Sequence, residues 1–119
     1  MVNISTSIIV DLDNTSEVEF PVEVCYSTMD DPAYGWINGH IAVQSVGKYY
    51  SCSYYFEAKV YDLPSKNGID DGCISKLYVR QMNTGAEVIG YDRGWYLEPH
   101  CPQEYAALKA LLEIFDTPM

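Results

Sequence analysis

Basic residues are scarce in this chain. Seven Lys and Arg face seventeen Asp and Glu across 119 residues, for a formal charge of −10. Residues 1–47 hold no Lys or Arg at all. A phosphate-backbone binder carries a basic stripe and a high pI, so direct nucleic-acid binding is excluded. With two histidines and four cysteines, none at zinc-ligand spacing, no structural zinc site is expected. No C-x-x-C pair occurs, and Cys25, Cys52, Cys73 and Cys101 lie in apolar or strand-like surroundings. They are expected as buried thiols of a reducing compartment. The N-terminus has no basic n-region, and its longest apolar run is three residues. No signal peptide or membrane span is expected, and a cytoplasmic location follows.

Tyrosine is abundant, with eleven copies. It offers a large rigid face and a polar tip, which suits strand surfaces and binding sites. The length fits one domain over residues 1–119, able to bury roughly 65% of its surface.

Apolar residues recur mostly at period two. Val18, Phe20, Val22, Val24 and Tyr26 alternate with Glu17, Glu19, Pro21 and Glu23, as in a half-buried strand. Residues 4–10 form its expected partner across an Asp13-Asn14 turn. Further strands are expected over residues 36–43, 49–61, 74–80 and 86–91, with a Gly- and Asp-rich loop over residues 63–72. Only the C-terminus reads as a helix. Pro102 opens it, Glu104 complements its positive end, and Thr117-Pro118 stops it. Tyr105, Leu108, Leu111, Leu112 and Phe115 give one apolar stripe, which packs on the sheet. The expected fold is α+β: an antiparallel sheet of about six strands with one C-terminal helix on a face.

Residues 8–15, IIVDLDNT, look like the first motif of haloacid-dehalogenase-type phosphatases, with Asp11 as nucleophile, Asp13 as acid/base and Asp70-Asp71 as a later acidic pair. That fold is a parallel sheet wound with helices, whereas this chain returns at once as an alternating strand. We therefore read a strand ending in a turn. Asp30-Asp31 and Asp70-Asp71 fit no EF-hand loop. Ser51, Ser53, Ser65 and Ser75 lack a nucleophile-elbow context, and there is no P-loop or dinucleotide fingerprint. No enzymatic activity, cofactor or metal is expected.

Five of the seven cations, Lys59, Lys66, Lys76, Arg80 and Arg93, fall in one polar, glycine-punctuated stretch. Tyr91-Asp92-Arg93-Gly94-Trp95 is an unusual composition for a turn. A guanidinium beside an indole and a phenol can clamp a planar anion. The candidate site is Lys59, Tyr61, Lys76, Tyr91, Arg93 and Trp95, with Gly68, Gly72 and Gly94 allowing close approach of backbone.

The segments F-x-A-K-V-Y-D (residues 56–62), S-x-x-G-I-x-x-G-x-I-S-K-L (65–77) and Y-D-R-G-W (91–95), with a Gly-Trp-Ile strand at 35–39, resemble a group of small uncharacterised phage and prophage proteins classed as a domain of unknown function. The resemblance implies a viral accessory protein that blunts host defence. The leading expectation is a non-enzymatic protein that sequesters a small anionic, nucleotide-type immune signal. The alternative is an acidic inhibitor that places Glu17, Glu19, Glu23, Asp30 and Asp31 in a basic groove of a host defence protein or nuclease. Tyr-rich strands (Tyr49, Tyr50, Tyr54, Tyr55) with one covering helix suggest a homo-oligomer.

Overall fold

A computed structural model describes residues 2–12, 16–27, 35–61 and 65–115. The expected turn at Asp13-Asn14, the pair Asp30-Asp31, the start of the loop at residues 63–64 and the helix stop at Thr117-Pro118 lie outside them. Seven strands form one sheet in chain order, every neighbouring pair antiparallel. They are β1 (Val2–Asp11), β2 (Glu17–Ser27), β3 (Trp36–Val43), β4 (Cys52–Val60), β5 (Ile74–Gln81), β6 (Glu87–Asp92) and β7 (Trp95–Leu97), followed by α1 (Pro102–Phe115). The fold is the expected α+β, with one strand more than about six. The all-antiparallel sheet also bears out the rejection of a wound parallel phosphatase core. Among the described residues no helix is long and apolar enough to cross a membrane.

Alternation sorts the side chains into a dry face and an open one. Ile8, Val10, Phe20, Val22, Val24, Ile41, Val43, Tyr54, Phe56, Ala58, Leu77, Val79 and Ile89 are all buried on the dry face. α1 lies across it. Cys101 precedes Pro102, and the Glu104 carboxylate reaches back to accept from the His100 N–H at 2.7 Å, closing the helix start. The buried stripe of α1 differs from the expected one. Leu108, Leu111 and Phe115 are buried, but Ala106, Ala107 and Ala110 join them while Tyr105 is 44% exposed. Alanines let the helix sit low on the pleat, and the large ring of Tyr105 is left at the margin. Phe115 closes the layer edge-on against Tyr26, with ring centroids 4.9 Å apart.

The loop before β5 completes the cover. Ile69, Cys73 and Ile74 are buried, and the Tyr91 hydroxyl donates to the Asn67 carbonyl at 2.9 Å. The loop closes on itself through Ser65 N–H to the Gly72 carbonyl (3.1 Å) and Gly72 N–H to the Ile69 carbonyl (2.9 Å). A Cβ on Gly68 would collide with the Gly72 carbonyl. That glycine thus serves contact inside the loop rather than the ligand approach expected of it. Of the four free cysteines, only Cys73 is fully buried, and Cys25, Cys52 and Cys101 are partly exposed. Those three are therefore not in the interior expected of them.

β2 and β3 approach so closely at Gly39 that a Cβ there would strike the Cys25 carbonyl. Gly39→Ala should cost about 1–3 kcal/mol, read as a lower denaturant midpoint at unchanged slope in equilibrium unfolding.

Candidate functional site

The face opposite α1 is open, and strand register arranges it in rows. One row runs Trp36, Lys59, Lys76, Asp92 from β3 to β6. The next runs Asn38, Glu57, Tyr78, Gly90. The third runs His40, Tyr55, Arg80, Glu87. The β1–β2 end of the same face carries Asp11, Glu17, Glu19 and Glu23, all exposed. The β1–β2 end of the open face is therefore acidic, while the β4–β6 end mixes Lys59, Lys76 and Arg80 with aromatics and with Glu57, Glu87 and Asp92.

Lys59 and Lys76 stand opposite one another across β4 and β5. Like charges so placed are mutually destabilising by a fraction of a kcal/mol, roughly 0.2–1. Lys76 has a loose partner in Asp92, at 3.8 Å and largely solvated, so the pair contributes little. Lys59 Nζ lies 5.5 Å from the centre of the Tyr61 ring. The Lys59 ammonium is the main influence holding that phenol below its ordinary range, partly offset by burial and helped by Ser75 and Arg93. Ser75 Oγ is buried with no partner at full hydrogen-bonding distance among the described residues. The Tyr61 hydroxyl feels it, so we read that contact as long and weak.

Arg93 occupies the tight β6–β7 turn. Its backbone is left-handed, φ 59°, a conformation costing a non-glycine residue about 1 kcal/mol. The Arg93 N–H donates to the Ser75 carbonyl at 3.1 Å, docking the turn on β5. A Cβ at Gly94 would meet nothing within 4 Å, so this glycine does leave open space.

The six residues singled out from the sequence thus divide into two groups. Lys59, Tyr61, Lys76 and Arg93 gather at one end of β4, β5 and the β6–β7 turn. Tyr91 and Trp95 pair with each other, rings edge-on at 5.1 Å. They point to the helix side because Tyr91 is in register with Leu77 of the core. Tyr91 is buried and hydrogen-bonded to the loop, whereas Trp95 is 37% exposed at the margin.

Other aromatics hold the position beside the cations. Trp36 stacks on Tyr78, centroids 6.2 Å apart and rings 16° from parallel. Tyr96 folds back over Gly90, where a Cβ would collide with its ring, and donates to Glu87 Oε1 at 2.5 Å. Burial first, and then that carboxylate, push its phenol far up. Tyr78 is raised by burial, with Asp92, Glu87 and Glu57 adding to it. Tyr55, Glu57, Tyr78, Arg80, Glu87 and Tyr96 line a shallow depression of about 320 Å³. The alternation of β3 and β5 was a usable signal for Trp36 and Tyr78. Their adjacency to Lys59 was not, because it depends on register. Among the described residues, no group of three or more His, Cys, Asp or Glu comes together to hold a metal ion.

Lys59→Met should raise the Tyr61 pKa, because the ammonium stabilises the phenolate. Titration of the Tyr61 ring resonances by NMR in both proteins checks the direction.

No curated protein and no solved structure matches the chain. A domain-family match spans residues 35–116, from the residue before β3 to the end of α1. It takes in the whole cation-bearing part of the open face, and by it the chain belongs to the family described as Domain of unknown function (DUF7678).

Proposed function

We propose that this is a non-enzymatic binding protein whose open sheet face holds a small anionic ligand of nucleotide type. One observation carries the reading: in a chain of charge −10, two ammoniums sit directly opposite one another, with Tyr61 and Arg93 beside them. Such an arrangement opposes folding in isolation and becomes favourable when an anion lies between the charges. Lys59, Lys76 and Arg93 would meet phosphate or carboxylate. The ring system would lie along Trp36 and Tyr78, in the stacking role first given to Tyr61, Tyr91 and Trp95. The finer proposal rests on the sequence resemblance noted for residues 35–98. In it, the protein is a viral accessory factor in a host cytoplasm, and the ligand is a host immune signal that it withholds.

A second reading rests on a separate observation. Asp11, Glu17, Glu19 and Glu23 share one face at the other end of the sheet. They would dock into a basic groove of a host defence protein or nuclease.

Calorimetric titration with cyclic and ADP-ribose-type nucleotides separates the two. The first reading expects saturable heat that is lost in Lys59→Glu/Lys76→Glu and kept in Glu19→Lys/Glu23→Lys. Absence of heat with every nucleotide at tens of micromolar protein overturns it. The second expects a host protein captured in a salt-sensitive way and released by Glu19→Lys/Glu23→Lys.

A further inference from the structure

The outer edge of β1 presents a consistent row of peptide groups. Pro21 has no N–H, and its carbonyl accepts from the Gln44 N–H at 3.0 Å. Its backbone therefore faces β3. Its register partner on the other side, Ser7, must turn its own N–H and C=O away from β2. Alternation then directs the peptide groups of Asn3, Ser5, Ser7, Ile9 and Asp11 outward. The contact of Lys109 Nζ with the Ile9 carbonyl, 2.8 Å, agrees with that direction.

Edge strands are ordinarily protected by lysine, proline, a bulge or shortness. β1 has none of these. It is ten residues long, pairs with β2 without a register shift, and carries no charge from Val2 to Val10. On a molecule of charge −10 it is a long neutral edge, so a second copy can pair there without setting like charges opposite one another from Val2 to Val10.

We propose that β1 is a self-docking edge, joining two copies antiparallel about a two-fold axis into one continuous sheet. A register centred on Ser7 sets Ser5 opposite the partner's Ile9 and Ile4 opposite the partner's Val10, which extends the apolar layer across the join. It also sets Thr6 opposite the partner's Ile8. The Thr6 hydroxyl donates to Glu113 Oε2 at 3.4 Å, and Lys109 lies beside Ile9. Each Glu113 thereby comes beside the partner's Lys109, giving two complementary charge pairs. Lys109, which caps the edge of the single chain, exchanges a carbonyl for a carboxylate. The interface uses none of the open-face cations, so it stands or falls independently of the ligand proposal.

Sedimentation velocity on the full chain tests it. The expected species has twice the 13.4 kDa chain mass. Ser7→Pro removes an outward N–H that has no backbone partner among the described residues. It should keep the circular dichroism of the native sheet and weaken self-association at least about tenfold. Should that variant not fold, Ser5→Lys/Ser7→Lys blocks the same edge. Lys109→Glu should weaken the dimer, and adding Glu113→Lys should restore it. A wild-type chain that stays monomeric up to submillimolar concentration, or a folded edge variant that dimerises as tightly as wild type, overturns the proposal.

Discussion

One fourteen-residue helix has to keep water off one face of a seven-stranded sheet. Everything else in the structure follows from that constraint. A helix is only about 10 Å wide with its side chains, so it cannot reach across seven strands spaced about 4.8 Å apart. α1 uses its alanines to settle low and bulky Leu108, Leu111 and Phe115 to reach outward. The remaining cover over β5 and β6 comes from the self-bonded loop carrying Ile69, tied down by Tyr91. With both spent on one side, the other face stays wet. It is there that charge and aromatic surface accumulate.

Much of this was legible because period-two alternation is local. Val18 to Tyr26 declared which residues of β2 would be dry, and β3 occupies the expected residues 36–43 without adjustment. What failed to show were features set by pairing. β7 is three residues with no buried side chain among them. It exists because Arg93 accepts a left-handed backbone and brings Trp95 back beside Tyr91. The same hairpin explains why Tyr91 and Asp92 do not share one face of the sheet. Adjacent strand residues point to opposite faces, so Tyr91 and Asp92 are parted by the sheet itself. In the other direction, Trp36 and Lys59 are far apart in sequence and become neighbours only through the β3–β4 register.

The open face keeps its charges apart by the same logic. Glu17, Glu19 and Glu23 belong to β2, whereas Lys59, Lys76 and Arg80 belong to β4 and β5, with β3 between them contributing only Trp36, Asn38, His40 and Ala42 to that face. β3 thus separates the β2 carboxylates from the β4 and β5 cations, while Glu57 and Glu87 stand among those cations. Asp92 is the one acidic side chain in the Lys59–Lys76 row, and at 3.8 Å it is a weak competitor for an incoming anion.

The family match begins at residue 35, after β1 and β2. Yet Ile8, Val10, Phe20, Val22 and Val24 of those strands are part of the same buried cluster as α1. The segment shared with the family therefore does not close its own core: removing the hairpin would bare the very alanines and leucines that fix the helix. The hairpin must dry that part of the helix, and in doing so it becomes the sheet's long outer edge. Stability and exposure are thus coupled in one element. The strand that completes the interior is also the one whose outward peptide groups line a ten-residue edge of the sheet.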